Sequence, residues 1–76
     1  MKTILQNIIN AERGHVVSAV SNCGHHNILF RASDGTEHQI ELVDGIYPTA
    51  YENGEKLLLG IADVLEGKLA KYRAER

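Results

Sequence analysis

The chain has 76 residues, of which 43% are hydrophobic and 24% are charged, and its formal net charge is -2. A chain of this size and composition folds as one globular domain, here residues 1–76, with a core small enough that oligomerisation often adds stability. The small net charge argues against binding to nucleic acid or an anionic membrane through bulk electrostatics, and no segment approaches the roughly 20 apolar residues that span a bilayer.

A short amphipathic helix is predicted near the N-terminus, over 4–12. Its apolar residues recur at helical spacing, and they are Ile4, Leu5, Ile8 and Ile9. Thr3 and Gln6 have the spacing of a capping box, and Gly14 follows as a stop signal. An isolated helix of this length is not stable in water, so we expect it to pack on the rest of the chain.

A first strand is predicted over 15–21, followed by a turn over 22–24. The strand alternates imperfectly, so its pattern leaves open which set of residues faces the core, Val16 with Val20 or Val17 with Ala19. The turn contains Cys23, which is the single cysteine and cannot form an internal disulfide. Because the N-terminal residues also lack the apolar run and cleavage site of a signal peptide, we expect a cytoplasmic protein with no membrane partner.

A hairpin with a definite register follows. Apolar residues alternate with polar ones before and after a turn that ends at Gly35. A two-residue loop would place the apolar residues of one strand beside the polar residues of the other. A three-residue loop with Gly35 in the left-handed conformation instead pairs Phe30 with His38 and Ile28 with Ile40, which gives one buried face.

The opposite face of this hairpin is expected to be solvated and net acidic. The three-residue loop places Arg31 across from Glu37. Gln39 and Glu41 share the face, and two further carboxylates lie at its ends, from Asp34 and Asp44. Such a face could bind a basic groove on another protein, although charged strand faces more often serve to prevent aggregation.

A long C-terminal helix is predicted over about 50–74. Thr49 and Glu52 have capping-box spacing, with Asn53 and Gly54 as a possible later start. One stripe at the helical period contains Leu58, Ile61, Ala62, Leu65, Leu69 and Tyr72. At 1.5 Å per residue the helix would be roughly 37 Å long and would extend beyond strands of about 23 Å.

The predicted fold is therefore α+β, with the order α-β-β-β-α. A three-stranded antiparallel meander carries the short N-terminal helix and the long C-terminal helix on one face. This order resembles that of double-stranded RNA-binding domains, which grip phosphates with lysines at the start of the last helix. The corresponding stretch, 52–56, holds two glutamates and one lysine, so nucleic acid is not the expected partner.

Two surfaces are candidates for contact with a protein. Leu57, Ile61 and Val64, here termed the apolar seam, widen the apolar arc of the last helix beyond what one sheet face needs. The seam could receive a second copy of the chain, or the N-terminal helix could cover it. Lys68 on the same helix and Glu37 and Glu41 on the sheet complete the predicted partner-binding residues.

A metal site is the alternative. Thiolate and imidazole suit zinc or copper, and the candidate ligands are Cys23, His25, His26 and His38. Adjacent histidines on an extended segment point to opposite faces, however, and no paired CxxC spacing is present. Cys23 with a histidine base could also act as a nucleophile, but so small a domain offers little room for a substrate cleft. We expect no enzyme activity and no cofactor.

The sequence favours a small non-catalytic protein-interaction module: a stoichiometric inhibitor, adaptor or regulator that also forms a homodimer. Compact single domains of this kind are common among such proteins, including those of phages and mobile elements, which is an analogy of size and architecture. The metal-binding module is the first alternative, and a nucleic-acid-binding domain of the same element order is the second.

Overall fold

The computed structural model describes the backbone of residues 2–75 and the side chains of residues 5–75. Within these residues two helices flank a run of five strands. The elements are α1 (Lys2–Asn10), β1 (Gly14–Asn22), β2 (His25–Ala32), β3 (Glu37–Val43), β4 (Thr49–Glu52), β5 (Glu55–Lys56) and α2 (Leu59–Glu75). The strands pair antiparallel in the order β1-β2-β3-β4-β5, and the predicted α+β fold with a meander sheet is confirmed.

The hairpin of β2 and β3 has the predicted register. Phe30 pairs with His38 and Ile28 with Ile40. The loop spans three residues, because Ala32 donates a hydrogen bond to the carbonyl of Thr36 at 2.8 Å, and Gly35 has a φ of 91°. The N–H of Thr36 also donates to Oδ1 of Asp34 at 2.8 Å, and this bond lowers the pKa of the exposed Asp34 carboxyl.

A β-bulge explains the imperfect alternation of β1. The register against β2 shifts between Val16 and Ser18, which leaves Val17 as an extra residue. Val16 is buried before the bulge and Ala19 packs against the core after it, whereas Val20 faces outward. Neither of the two alternating sets considered for this strand is correct, because the inward face changes parity at Val17.

The start of the C-terminal helix differs from the prediction. Strand β4 begins at Thr49 and ends at Glu52, so these two residues do not form a capping box. Asn53 and Gly54 form a tight turn, with φ of 52° and 81°. β5 then pairs back onto β4, and α2 begins at Leu59. The first hydrogen bonds of this helix are accepted by the carbonyl of Leu58, a residue with no capping side chain.

This correction changes the proportions of the domain. α2 has 17 residues, about 25 Å at 1.5 Å per residue, and the molecule measures 31 × 27 × 18 Å. The helix is therefore much shorter than the roughly 37 Å that the sequence had suggested. Two additional strands also separate the element order from that of double-stranded RNA-binding domains, and the stretch 52–56 lies in a hairpin.

Helix α1 ends earlier than Gly14. The N–H of Glu12 bonds to the carbonyl of Ile9 and the N–H of Arg13 to that of Ile8, a Schellman motif with Glu12 at φ 57°. Gly14 instead begins β1. The predicted capping box at the other end of α1 depends on the side chain of Thr3, which lies outside the described residues.

Both helices contribute to one core on one face of the sheet. Leu5 and Ile9 of α1 and four residues of α2 belong to the same buried cluster as the inward residues of the strands. The cluster contains Leu5, Ile9, Val16, Ile28, Phe30, Ala32, Ile40, Leu42, Ala50, Leu57, Ile61, Ala62, Leu65 and Leu69. We call the side of the sheet that carries this cluster the inner face and the opposite side the outer face.

Candidate functional site

The apolar seam is part of the core. Leu57 is 2% exposed and Ile61 is 1% exposed, while Val64 is partly buried against the same cluster. Helix α1 packs beside α2, as the alternative interpretation of these residues expected. Leu57 precedes the helix and fills the end of the core, whereas Leu58, assigned to the buried stripe, is 58% exposed. Leu57 and Ile61 therefore belong to the core of the domain itself, in agreement with the alternative in which α1 covers the seam.

Lys68 contacts the edge of the sheet. Its Nζ lies 3.4 Å from the carbonyl oxygen of Gly14 and 5.9 Å from the centre of the Phe30 ring. The ammonium group thus satisfies a carbonyl at the start of β1 and covers the end of the core. These contacts give Lys68 a structural role within the domain.

The four candidate metal ligands do not converge. Cys23 is exposed in the β1–β2 turn, and the two histidines that follow it point to opposite faces. His38 bonds through Nδ1 to Glu52 at 2.9 Å, and its buried Nε2 has no hydrogen-bond partner among the described side chains. Across residues 5–75, no three His, Cys, Asp or Glu side chains come close enough to share a metal ion.

His26 is the centre of a polar cluster on the inner face. Its Nε2 lies 2.8 Å from Oδ2 of Asp44, and its Nδ1 lies 2.6 Å from Oγ of Ser21. Arg73 donates to the same Ser21 oxygen at 2.7 Å and lies 3.1 Å from Nδ1 of His26. Because a guanidinium can only donate, Nδ1 accepts, and Nε2 carries the hydrogen that is donated to Asp44.

This cluster contains a hydroxyl, an imidazole and a carboxylate, the groups of a nucleophile, a base and an orienting acid. The guanidinium of Arg73 bonds the Ser21 oxygen directly. The contacts also join the end of α2 to β1, β2 and the loop after β3. The arrangement therefore anchors the C-terminal helix to the sheet, and the sequence pattern gave no sign of it.

Three of the four carboxylates predicted to make an acidic surface lie beside a basic side chain, whereas Asp34 accepts a hydrogen bond from the backbone N–H of Thr36. Glu37 bonds Arg31 at 2.7 Å, and Glu41 lies 3.3 Å from His25. Asp44 turns to His26 on the inner face. Arg31 offsets the charge of Glu37, so this end of the outer face is less acidic than the sequence suggested.

The outer face forms a continuous five-stranded surface. Register places one row of side chains across all five strands, in the order Val20, Asn27, Glu41, Tyr51 and Lys56. A neighbouring row includes Leu29 and Gln39, and a third includes Val43. Leu29, Val43 and Tyr51 are half-buried, so this face mixes apolar and aromatic groups with amides and charges.

Sequence reasoning found only part of this face. Glu37, Gln39 and Glu41 were expected there, but Tyr51 and Lys56 had been assigned to a helix. The signal that could have located them is the dipeptide of Asn53 and Gly54, which is typical of a two-residue hairpin turn.

Exposed apolar residues lie at one end of the sheet. Ile46 is 92% exposed and Tyr47 77%, both in the loop between β3 and β4. Leu58 and Leu59 approach the same end, because the N–H of Leu57 bonds to the carbonyl of Ala50 near the start of β4.

In the described part of the chain, neither helix combines the length and the hydrophobicity needed to cross a membrane. Comparisons with protein-family models, with curated proteins and with solved structures find no match for this chain. The functional assignment therefore depends on the geometry of these surfaces.

Proposed function

We propose that this chain is a small non-catalytic protein-interaction module, an adaptor, inhibitor or regulator, whose contact surface is the outer face of its sheet. The single observation that carries the proposal is the position of both helices on the inner face. All five strands are consequently uncovered on the other side. An aromatic ring and several aliphatic side chains occupy that uncovered surface.

The chemistry of the outer face suits a protein partner. Interface cores are enriched in aromatic residues and depleted of charge, and their rims are polar. Here Leu29 and Tyr51 lie on β2 and β4, on either side of the central strand β3, and the ion pair of Arg31 with Glu37 lies at the end of the hairpin. The Lys and Arg side chains of this face are Arg31, which is paired with Glu37, and Lys56 on the short edge strand. Two such charges have little to attract a polyanion, so we favour protein over nucleic acid.

The test is site-specific photo-crosslinking in the native cell. A photoreactive residue at Gln39, exposed at the centre of the outer face, is compared with one at Glu66, exposed on α2. We expect a discrete protein adduct from position 39 that resists nuclease treatment, and none from position 66. Adducts of equal yield from both positions, no adduct from position 39, or adducts that nuclease removes would overturn the proposal.

A substitution at Tyr51 tests whether this side chain contacts the captured protein. Tyr51→Ala removes the aromatic ring from the outer face, and we expect it to lower the affinity for the captured protein about tenfold or more, as for a central aromatic anchor. Ala70→Ser, at an exposed position of α2, is the matched control and should leave the affinity unchanged.

A further inference from the structure

The two edges of the sheet differ in how they are protected. At one edge β5 has only two residues, and both are charged. At the other edge β1 has nine residues, GHVVSAVSN, without Asp, Glu, Lys, Arg or Pro. Short length, charge and proline are the usual means by which natural sheets prevent edge-to-edge pairing, and β1 uses none of them.

Only the first half of β1 is protected in other ways. The bulge at Val17 interrupts the regular ladder, and Lys68 bonds the carbonyl of Gly14. Residues 18–22 form the second half, which is regular and pairs residue by residue with β2. The unprotected part of the edge is therefore these five residues.

The hydrogen-bonding direction of each residue in this half follows from the ladder. Ala32 bonds Thr36 across the β2–β3 hairpin, so even-numbered residues of β2 bond β3 and odd-numbered residues bond β1. The β1 partners of Leu29, Asn27 and His25 are Ser18, Val20 and Asn22. The backbone N–H and C=O groups of Ala19 and Ser21 therefore point outward, away from the sheet.

We propose that the chain forms a two-fold symmetric homodimer in which residues 18–22 of two β1 strands pair antiparallel about Val20. Ala19 then faces Ser21 of the second copy, and Ser21 faces its Ala19, so the four outward N–H groups all find acceptors. The two Val20 side chains meet on the outer face as a non-hydrogen-bonded pair, where side chains are closest.

A second copy is the partner that fits best, for two reasons. A two-fold axis brings the residues beside it close to their own symmetry mates, so a charge there would repel its copy, and residues 18–22 contain no Asp, Glu, Lys or Arg. Val20, at the axis, is 68% exposed although it is aliphatic. Pairing would bury Val20 and join two five-stranded sheets into one of ten strands.

Arg73 of α2 contacts the second half of β1, because its guanidinium donates a hydrogen bond to Oγ of Ser21. The dimer brings the two Arg73 side chains toward each other on the inner face. Their repulsion is screened by salt, so we expect association to strengthen as ionic strength rises.

Sedimentation and hydrogen exchange of the full chain test the dimer. We expect the apparent mass to rise toward twice the monomer value with concentration, and the amides of Ala19 and Ser21 to exchange more slowly as it does. Amides of Val20 and Asn22, bonded to β2, should be protected at every concentration. A monomeric mass up to millimolar concentration would overturn the proposal, as would a dimer in which Ala19 and Ser21 still exchange rapidly.

Two lysine substitutions separate this interface from others. Val20→Lys places like charges opposite each other at the axis and should keep the folded chain monomeric, with a shift in apparent dissociation constant of at least tenfold. Gln39→Lys adds the same charge to the outer face of a central strand and should leave the dimer intact. A Val20→Lys chain that dimerises like the parent would contradict the proposal. The dimer does not depend on the outer-face function, which is tested separately by crosslinking at position 39.

Discussion

At the scale of single residues, Gly14 marks the closest packing between β1 and its neighbour. A Cβ atom added there would lie 2.5 Å from the carbonyl oxygen of Arg31 and 2.5 Å from Cζ of Phe30. The carbonyl belongs to the backbone of a paired strand and cannot move without disturbing the ladder. Glycine is needed here because of space.

We therefore expect Gly14→Ala to destabilise the fold by about 1–3 kcal/mol, the usual cost of overpacking a core. Urea denaturation followed by circular dichroism measures this change. Gly67→Ala is the matched control, since nothing lies within 4 Å of an added Cβ in that helical position. It should stabilise the chain by about 0.5–1 kcal/mol. A neutral Gly14→Ala variant would show that β1 can shift away from Phe30.

At the scale of elements, the end of α1 contains a residue in an unfavourable conformation. Glu12 occupies the left-handed position of the Schellman motif, with φ 57°, where glycine is usual. The left-handed conformation costs a residue with a Cβ about 1–2 kcal/mol. The sequence has a glycine two residues later, Gly14. That glycine is needed at the start of β1, because a Cβ atom there would clash with Phe30.

Glu12→Gly should consequently raise the free energy of unfolding, by up to about 1 kcal/mol once the added flexibility of the unfolded chain is included. Thermal denaturation at neutral pH is a suitable measurement. Glu66→Gly, at an exposed position inside α2, removes the same charge and should destabilise the chain by about 1 kcal/mol. If both variants lose stability equally, the strain at Glu12 is not significant.

The elements also show how far local patterns specify the structure. The β2–β3 hairpin could be predicted to the residue, because alternation on both strands permits only one register. The segment 49–56 could not, since Thr49 and Glu52 have capping-box spacing while Asn53 and Gly54 have hairpin chemistry. The pairing of β4 with β3 selects the hairpin over the helix, and this pairing is a tertiary contact that the local sequence does not show. Helix α2 begins at Leu59 without a capping residue, so its start had no local signal.

At the scale of the whole molecule, one core joins both helices and four of the five strands. Leu5 in the first helix is 1% exposed and lies in the same cluster as residues of four strands and of α2. A short helix has little stability of its own. Folding of α1 should therefore be coupled to that of the sheet.

We expect Leu5→Ala to lower the free energy of unfolding by about 2–5 kcal/mol. Helical and tyrosine circular dichroism signals should still change together in one transition. Asn7→Ala, at an exposed position of the same helix, is the control and should change stability little. Early loss of the helical signal with the tyrosine signal unchanged would mean that α1 unfolds independently.

The candidate surfaces were less predictable than the fold. The apolar seam had two interpretations, a contact surface or the place where α1 packs, and the sequence could not choose between them because α1 meets α2 only through tertiary contacts. The cluster of His26, Ser21, Asp44 and Arg73 joins segments far apart in sequence, so no spacing could indicate it. The outer face could be predicted only on β2 and β3, the two strands whose register the sequence indicated.

The separation of the two sheet faces has a consequence for how such a protein diversifies. Strands β1 to β4 contribute inward residues to the core, while positions such as Gln39 and Asn27 on the other side contact solvent. Exposed substitutions commonly change stability by less than about 0.5 kcal/mol. Evolution can therefore alter the side chains of the outer face, one position at a time, with little risk to the scaffold beneath it.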